Sequence, residues 1–204
     1  MPLLRNFSTC NKPNFFTLVA ATITALVLVS LFLFANNYRT IENRQLRENE
    51  QKEVFRNLSH RLNEVMKKLG QLQCANNTVT ETGAWCKWAY ANKHLHDEGL
   101  AAGLRSMLGG EKVASFGEGT GFYKSSLSTV VRSYAAFDGS PFIEDHTNHS
   151  VQFLDLTVPH IFPENFDWIL CLEVGEHIPA TFQHILLSNI FRHANKGVVI
   201  RRVR

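Results

Sequence analysis

The sequence predicts an α/β protein: an open parallel sheet carried behind a transmembrane helix and a helical stalk. Three observations point there. Residues 15–34, FFTLVAATITALVLVSLFLF, carry no charge, and about 20 apolar residues is what a helix needs to cross the apolar core of a bilayer. Phe55, Leu58, Leu62, Val65, Leu69 and Leu72 then recur at alternating steps of three and four, the spacing of one helix face. From residue 97 onward short apolar runs alternate with helical stretches, an order that builds a parallel sheet with helical crossovers.

Composition sets the bounds. The 204 residues are 45% hydrophobic and 19% charged, enough apolar material for a core, so wholesale disorder is excluded. A net charge of +3 is mild, and the 21 Lys and Arg form no aromatic-interleaved basic face, so nucleic acid is not an expected partner. Cys10, Cys74, Cys86 and Cys171 are too few and too irregular for a disulfide scaffold or a zinc site. Cys74 and Cys86 can pair if their compartment is oxidising, whereas Cys171 lies inside an apolar run and reads as a buried thiol.

Residues 1–14 form a short tail and residues 15–36 the transmembrane helix. A cleaved signal peptide would show an apolar region of about 7–15 residues and a small-residue cleavage site, so the segment reads as a retained anchor. Its orientation is pulled both ways. Arg39, Arg44, Arg47 and Lys52 outnumber Arg5 and Lys12 and favour a cytoplasmic C-terminal side. The short tail and the N-x-S/T sequons at Asn57, Asn76 and Asn148 favour a type II protein of the Golgi or endoplasmic reticulum with a lumenal domain. The balance leans to the second. Residues 37–73 form the stalk, either a homodimeric coiled coil through its apolar seam or a helix folded against its own domain. Residues 74–83, with Asn76, Asn77, Thr78, Thr80 and Gly83, form a linker, and residues 84–204 the globular domain.

Within that domain, residues 97–108 read as a helix with Leu100, Ala101, Leu104 and Leu108 on one face, stopped by Gly109 and Gly110. Strands are expected at 113–116, 134–137, 151–154, 168–172 and 198–200, with a helix at 181–193. Directly behind the first strand stand Gly117, Gly119 and Gly121, spaced GxGxG. A dinucleotide fingerprint would want its third glycine at Phe122, and no Lys-Ser/Thr pair follows as in a phosphate-gripping P-loop. Ligands in open parallel sheets settle at the carboxyl ends of the strands. Asp138 ends the second run, about 20 residues beyond the turn, where a carboxylate can accept hydrogen bonds from ribose hydroxyls. The third run ends in Asp155-Leu156, suited to an adenine edge. Each aspartate taken singly reads equally well as a turn or helix-capping residue.

Taken together, residues 113–123, 134–141, 151–157 and 166–179 resemble the successive motifs of class I S-adenosylmethionine-dependent methyltransferases. The likeness covers roughly the last half of the chain, and its ordered set is more specific than any one motif. It is nearest to methyltransferase-like proteins in which a Gly/Trp-Cys element precedes the domain, as Gly83-Ala-Trp-Cys86 does here. The resemblance implies a Rossmann-like fold with S-adenosyl-L-methionine as cofactor. It implies that Gly117, Gly119 and Gly121 bind the methionine part, Asp138 the ribose, and Asp155 and Leu156 the adenine. Where many relatives carry an acidic residue this chain has Ser115, and Glu118 is the alternative contact for the methionine amine. Relatives continue past residues 197–200 into further helices and two more strands, so the sheet is expected to be incomplete at its C-terminus.

Methyl transfer requires the acceptor to be positioned, desolvated and, where needed, deprotonated. Glu173, Glu176 and His177 follow the fourth strand as catalytic candidates, since His suits proton transfer near neutral pH. The same Glu-x-x-Glu-His spacing holds a divalent metal in some relatives. No further downstream ligand is visible, and no metal is expected here. The structural alternative is that Glu176 and His177 hold the loop and cap the following helix. His94, His96 and His146 read as surface residues. Two functions stay open: methyl transfer to an unidentified acceptor, or a catalytically inactive, membrane-anchored interaction protein. A lumenal glycosyltransferase is disfavoured because no Asp-x-Asp motif occurs.

Overall fold

The computed structural model describes residues 15–86 and 97–202, with the backbone alone for residues 15–25 and 27. Its elements are α1 (Phe15–Gln73), α2 (Glu98–Met107), β1 (Lys112–Phe116), α3 (Phe122–Leu127), β2 (Ser133–Asp138), α4 (Ile143–His146), β3 (Gln152–Phe153), β4 (Phe166–Leu172), a 3-10 turn (Ala180–Phe182), α5 (Gln183–His193) and β5 (Ala194–Arg201). The tail at 1–14, and His94 and His96, lie outside the described residues.

The chain divides into two units, Met1–Gln51 and Lys52–Arg204. In the first, α1 exposes a run of apolar side chains that includes Leu31, Phe32, Leu33 and Phe34. Among the described residues no helix is long and apolar enough to cross a membrane. Most side chains of the predicted span at 15–34 lie outside that set.

The second unit is built on a five-stranded, all-parallel sheet in the order β3-β2-β1-β4-β5. Strands buried on both faces need continuous apolar runs, and KVASF and FDWILCL supply them. Alternate residues point to opposite faces. Ala114, Phe116, Ile169 and Cys171 join Leu186 and Ile190 of α5 in one core. Val113, Leu170 and Leu172 join Leu104 of α2, Leu108 and Leu127 of α3 in the other. Phe162 anchors the first core, stacked on Phe116 at 5.8 Å and edge-on to Phe166 at 5.6 Å between centroids. Asp97 starts α2 as an N-cap, accepting from Leu100 N at 2.9 Å. Helices cover both faces, and the order is that of a doubly wound sheet that reverses direction between β1 and β4.

Residues 52–73 of α1 pack on the sheet domain with a largely polar face, in which Met66 is an apolar contact with the cluster of Ile143, Val151 and Phe153. Asn63 donates to Phe153 O and accepts from Asp155 N, both at 3.0 Å, so one side chain satisfies two backbone groups at the outer edge of β3. Ser59 Oγ donates to Pro159 O at 2.9 Å, Gln71 donates to Pro141 O at 3.3 Å, and Lys67 pairs with Glu144. Gly70 permits this approach, since a Cβ there would lie 2.6 Å from Pro141 Cγ. The seam of Phe55, Leu58, Leu62, Val65, Leu69 and Leu72 is left exposed. An edge strand presents unpaired N–H and C=O groups, which Asn63 can satisfy and a leucine cannot.

Residues 74–83, expected as a linker, are instead fastened down. Cys74 and Cys86 form a disulfide, with Cα atoms 5.4 Å apart, and both are buried. Cys171 is free and buried, and burial, with the Glu176 charge as the lesser cause, pushes its thiol up to about 12.

Candidate functional site

The site grows from the turn between β1 and α3. Gly117, Gly119 and Gly121 adopt φ of +87°, +65° and +92°, the left-handed region where glycine is at ease. Gly117 is also sterically required, because a Cβ there would lie 2.1 Å from Val174 Cγ2. The turn is pinned to the next strand: Gly117 N and Glu118 N both donate to Phe137 O, at 2.8 and 2.9 Å.

Asp138, at the end of β2, completes the pinning. Its Oδ2 accepts from Gly119 N and its Oδ1 from Ser140 N, each at 2.9 Å. Both oxygens are thus held in place by backbone donors, and carboxylate oxygens retain lone pairs for further donors. The turn-residue and ligand-binding readings of Asp138 are therefore compatible.

Behind the turn a cavity of about 170 Å³ opens at the carboxyl ends of β1, β2 and β4. It brings together Ser115, Gly117, Glu118, Asp138, Asp155 and Leu156 from the predicted cofactor set, and Glu173 and His177 from the predicted catalytic set. Gly119 and Gly121 shape the turn without lining the cavity, and Glu176 does not line it. Glu176 lies close enough to Cys171 for its charge to help raise that thiol. His146 is exposed. Among the described residues no group of three or more His, Cys, Asp and Glu is arranged to hold a metal ion.

The carboxylates on the wall differ in what they do. Asp155 Oδ1 accepts from Thr157 N at 2.9 Å and Thr157 Oγ1 at 2.7 Å, its backbone N is bonded to Asn63, and its carbonyl to His160 Nε2 at 2.6 Å. It acts chiefly as a turn residue and leaves the apolar wall to Leu156 and Leu154. Glu118 is nearly fully buried, with Oε1 accepting from Lys124 N at 2.6 Å and Oε2 from Tyr134 OH at 2.8 Å. Burial outweighs these bonds and raises its carboxyl above the ordinary value; it also raises the Tyr134 hydroxyl, with the Glu118 charge second. Ser115, 2% exposed, hydrogen-bonds to Glu118. Glu173 takes φ +58°, rare for a residue with a side chain and typical of strained functional positions. Its N–H donates to Arg201 O at 2.8 Å, and Arg201 Nε stands 3.5 Å from its Oε1. Arg201 also pairs with Asp97 at 2.7 Å.

The sequence reading did not place Thr82, Ala84, Trp85 and Tyr123 in the site, yet all four line the cavity. Trp85 meets His177 edge-on at 5.3 Å between centroids. The only signal for Trp85 was the Gly83-Ala-Trp-Cys86 element, whose role depends on a disulfide that spacing alone leaves open.

The sheet order and the cavity at its reversal point decide the fold type. It is Rossmann-like. No protein-family model matches the chain, and no curated protein matches it. Solved structures of S-adenosylmethionine-dependent methyltransferases are similar to it. CalS10, an amino pentose methyltransferase from Micromonospora echinaspora with SAM bound, shares 17% identity at a TM-score of 0.45, over 57% of this chain and 54% of its own. NodS, an N-methyltransferase from Bradyrhizobium japonicum in complex with S-adenosyl-L-homocysteine, shares 15% at 0.46, over 66% and 71%. ChlM, the magnesium protoporphyrin IX methyltransferase of Synechocystis, with SAH bound, shares 17% at 0.43, over 55% and 64%. The chain thus spans about half the length of the first of these.

Proposed function

We propose that this chain binds S-adenosylmethionine in the cavity at the ends of β1, β2 and β4 and transfers its methyl group to an acceptor entering beside Glu173 and His177. One observation carries the reading: Glu118, Asp138, Asp155 and Glu173 line the cavity, and no described Lys or Arg does. Such a wall disfavours a phosphate-bearing dinucleotide and suits a nucleoside whose sulfonium and ammonium outweigh a single carboxylate. Asp138 takes the ribose hydroxyls, Leu156 and Leu154 the adenine face, and Glu118 with Ser115 the amine end. Glu173 and His177 remain for the acceptor, with His177 the group suited to take its proton. Calorimetry on the full-length protein in detergent tests this. S-adenosylhomocysteine should bind wild type, and Asp138→Ala should weaken it at least tenfold; unchanged affinity in the variant would remove Asp138 from the site.

The setting is part of the proposal. Residues 15–34 anchor the protein as a single-pass, type II membrane protein, and the domain faces the lumen of the Golgi or endoplasmic reticulum. The uncharged span, the three sequons and the Cys74–Cys86 disulfide support it. Because S-adenosylmethionine is made in the cytosol, a lumenal enzyme needs imported donor. A second reading, a catalytically inactive interaction protein, is favoured by the exposed seam of α1. In either case the seam pairs two copies through its exposed apolar residues.

A further inference from the structure

The segment between α1 and the domain closes into a small hairpin. Cys86 N donates to Thr78 O at 2.9 Å, Thr80 N to Ala84 O at 2.8 Å, and Val79 bridges Trp85 in antiparallel fashion. Its tip touches the cavity at two separated points. On the β2 side, Ser140 Oγ donates to Trp85 O at 2.7 Å, two residues beyond Asp138, and Ala84 packs on Gly139. On the β4 side, Gly83 lies against His177, where a Cβ would stand 1.9 Å from the carbonyl oxygen at φ +88°. Gly83, Ala84 and Trp85 therefore form a wall from the ribose side of the cavity to its catalytic side.

That wall has little core of its own. Between Thr78 and Cys86 only Thr80 and Cys86 are buried, and the cross-link that closes the segment back to the end of α1 is the Cys74–Cys86 disulfide, whose second sulfur belongs to the residue after Trp85. With so few buried side chains, the hairpin depends on its hydrogen bonds and on that cross-link to keep its place. We propose that this disulfide is a redox clasp on the donor cavity. With the bond intact the hairpin is a fixed wall. A dithiol reductant delivers two electrons and two protons, the S–S bond becomes two thiols, the reductant closes to its own disulfide, and the wall loosens so that the donor is held less tightly. The inference rests on the donor reading above and adds a condition to it: the site is fully formed only in an oxidising compartment.

The test compares full-length protein in detergent before and after treatment with dithiothreitol and alkylation, alongside the double variant Cys74→Ser/Cys86→Ser. S-adenosylhomocysteine affinity is read by calorimetry and the hairpin by hydrogen exchange. The expected result is at least a tenfold loss of affinity in the reduced protein and the variant, with faster exchange across residues 78–86 and unchanged exchange in β1 and β4. Ser140→Ala, which leaves the disulfide in place, should lower affinity about threefold even when oxidised, and guards against a double variant that folds poorly. Equal affinity in oxidised and reduced protein overturns the clasp, whether or not exchange rises. Failure of the oxidised wild type to bind sinks the donor reading and this one with it, and that failure shows before any reductant is added.

Discussion

Asp138 organises the site because two backbone donors converge on it. Asp138→Asn keeps the side chain's size but turns one acceptor into a donor, which must then face Gly119 N or Ser140 N. A loss of about 1–3 kcal/mol in unfolding free energy is expected from that unpaired contact, measured by urea unfolding. Two buried histidines give a second residue-scale prediction. His160 bonds through Nε2 to Asp155 O, and His193 Nε2 accepts from Phe162 N at 3.3 Å while its Nδ1 bonds to Asn189 O at 2.7 Å. Both are held below the ordinary imidazole value, in each case chiefly by burial. With folded values depressed, the unfolded chain takes up protons first, so stability falls as pH drops below about 6.5. Thermal midpoints at pH 7.5 and 5.5 should differ, and His193→Gln should shrink the gap; an equal gap would mean other groups set it. Glu118 has the opposite sign, its raised carboxyl favouring the fold most below the ordinary glutamate value.

At the scale of elements, α1 is the helix whose outcome was least legible. Its helicity and the existence of an apolar stripe were plain from the steps of three and four, yet that stripe is not the face against the domain. Periodicity finds apolar faces, and it is blind to a polar face that satisfies an edge strand through Asn63 and Ser59. Asn63→Ala should therefore cost about 2–4 kcal/mol, because Phe153 O and Asp155 N both lose their partner. Leu62→Glu and Val65→Glu should leave the unfolding free energy within about 0.5 kcal/mol, as exposed positions do. If the seam pairs copies, sedimentation of these two variants in detergent will show monomer where wild type shows dimer; a monomeric wild type would leave the seam without that role. The strands were legible because a parallel sheet buried on both faces writes continuous apolar runs. β3 and β5 departed from their expected bounds: β3 is two residues long where four were expected, since Leu154 N already donates to Asp138 O as the chain turns away, and β5 runs over Ala194–Arg201 where three residues were expected.

The whole molecule joins a legible cavity at the strand ends to a less legible surround. Glycines at alternate positions, Asp138 and the Asp155-Leu156 pair announce themselves at strand ends, and all three signals meet at one cavity. Trp85 and Gly83 reach it through a disulfide and a hairpin, long-range features that spacing alone leaves open. The proposed lumenal setting makes its own prediction. Asn57, Asn76 and Asn148 are all exposed, but the sequon hydroxyl of Ser59 is packed against Pro159, so Asn76, in the turn after α1, should carry the glycan most fully. Deglycosidase should shift the gel mobility of wild type and shift Asn76→Gln less; no shift in wild type, with Cys74 and Cys86 alkylated in intact cells, would place the domain in the cytosol. The central claim is that one nucleoside bridges three strand ends, and hydrogen exchange of the full-length protein with and without S-adenosylhomocysteine tests it most directly. The account predicts simultaneous protection of residues 117–121, 138–140 and 154–157, and protection confined elsewhere, or none at saturating ligand, would contradict it.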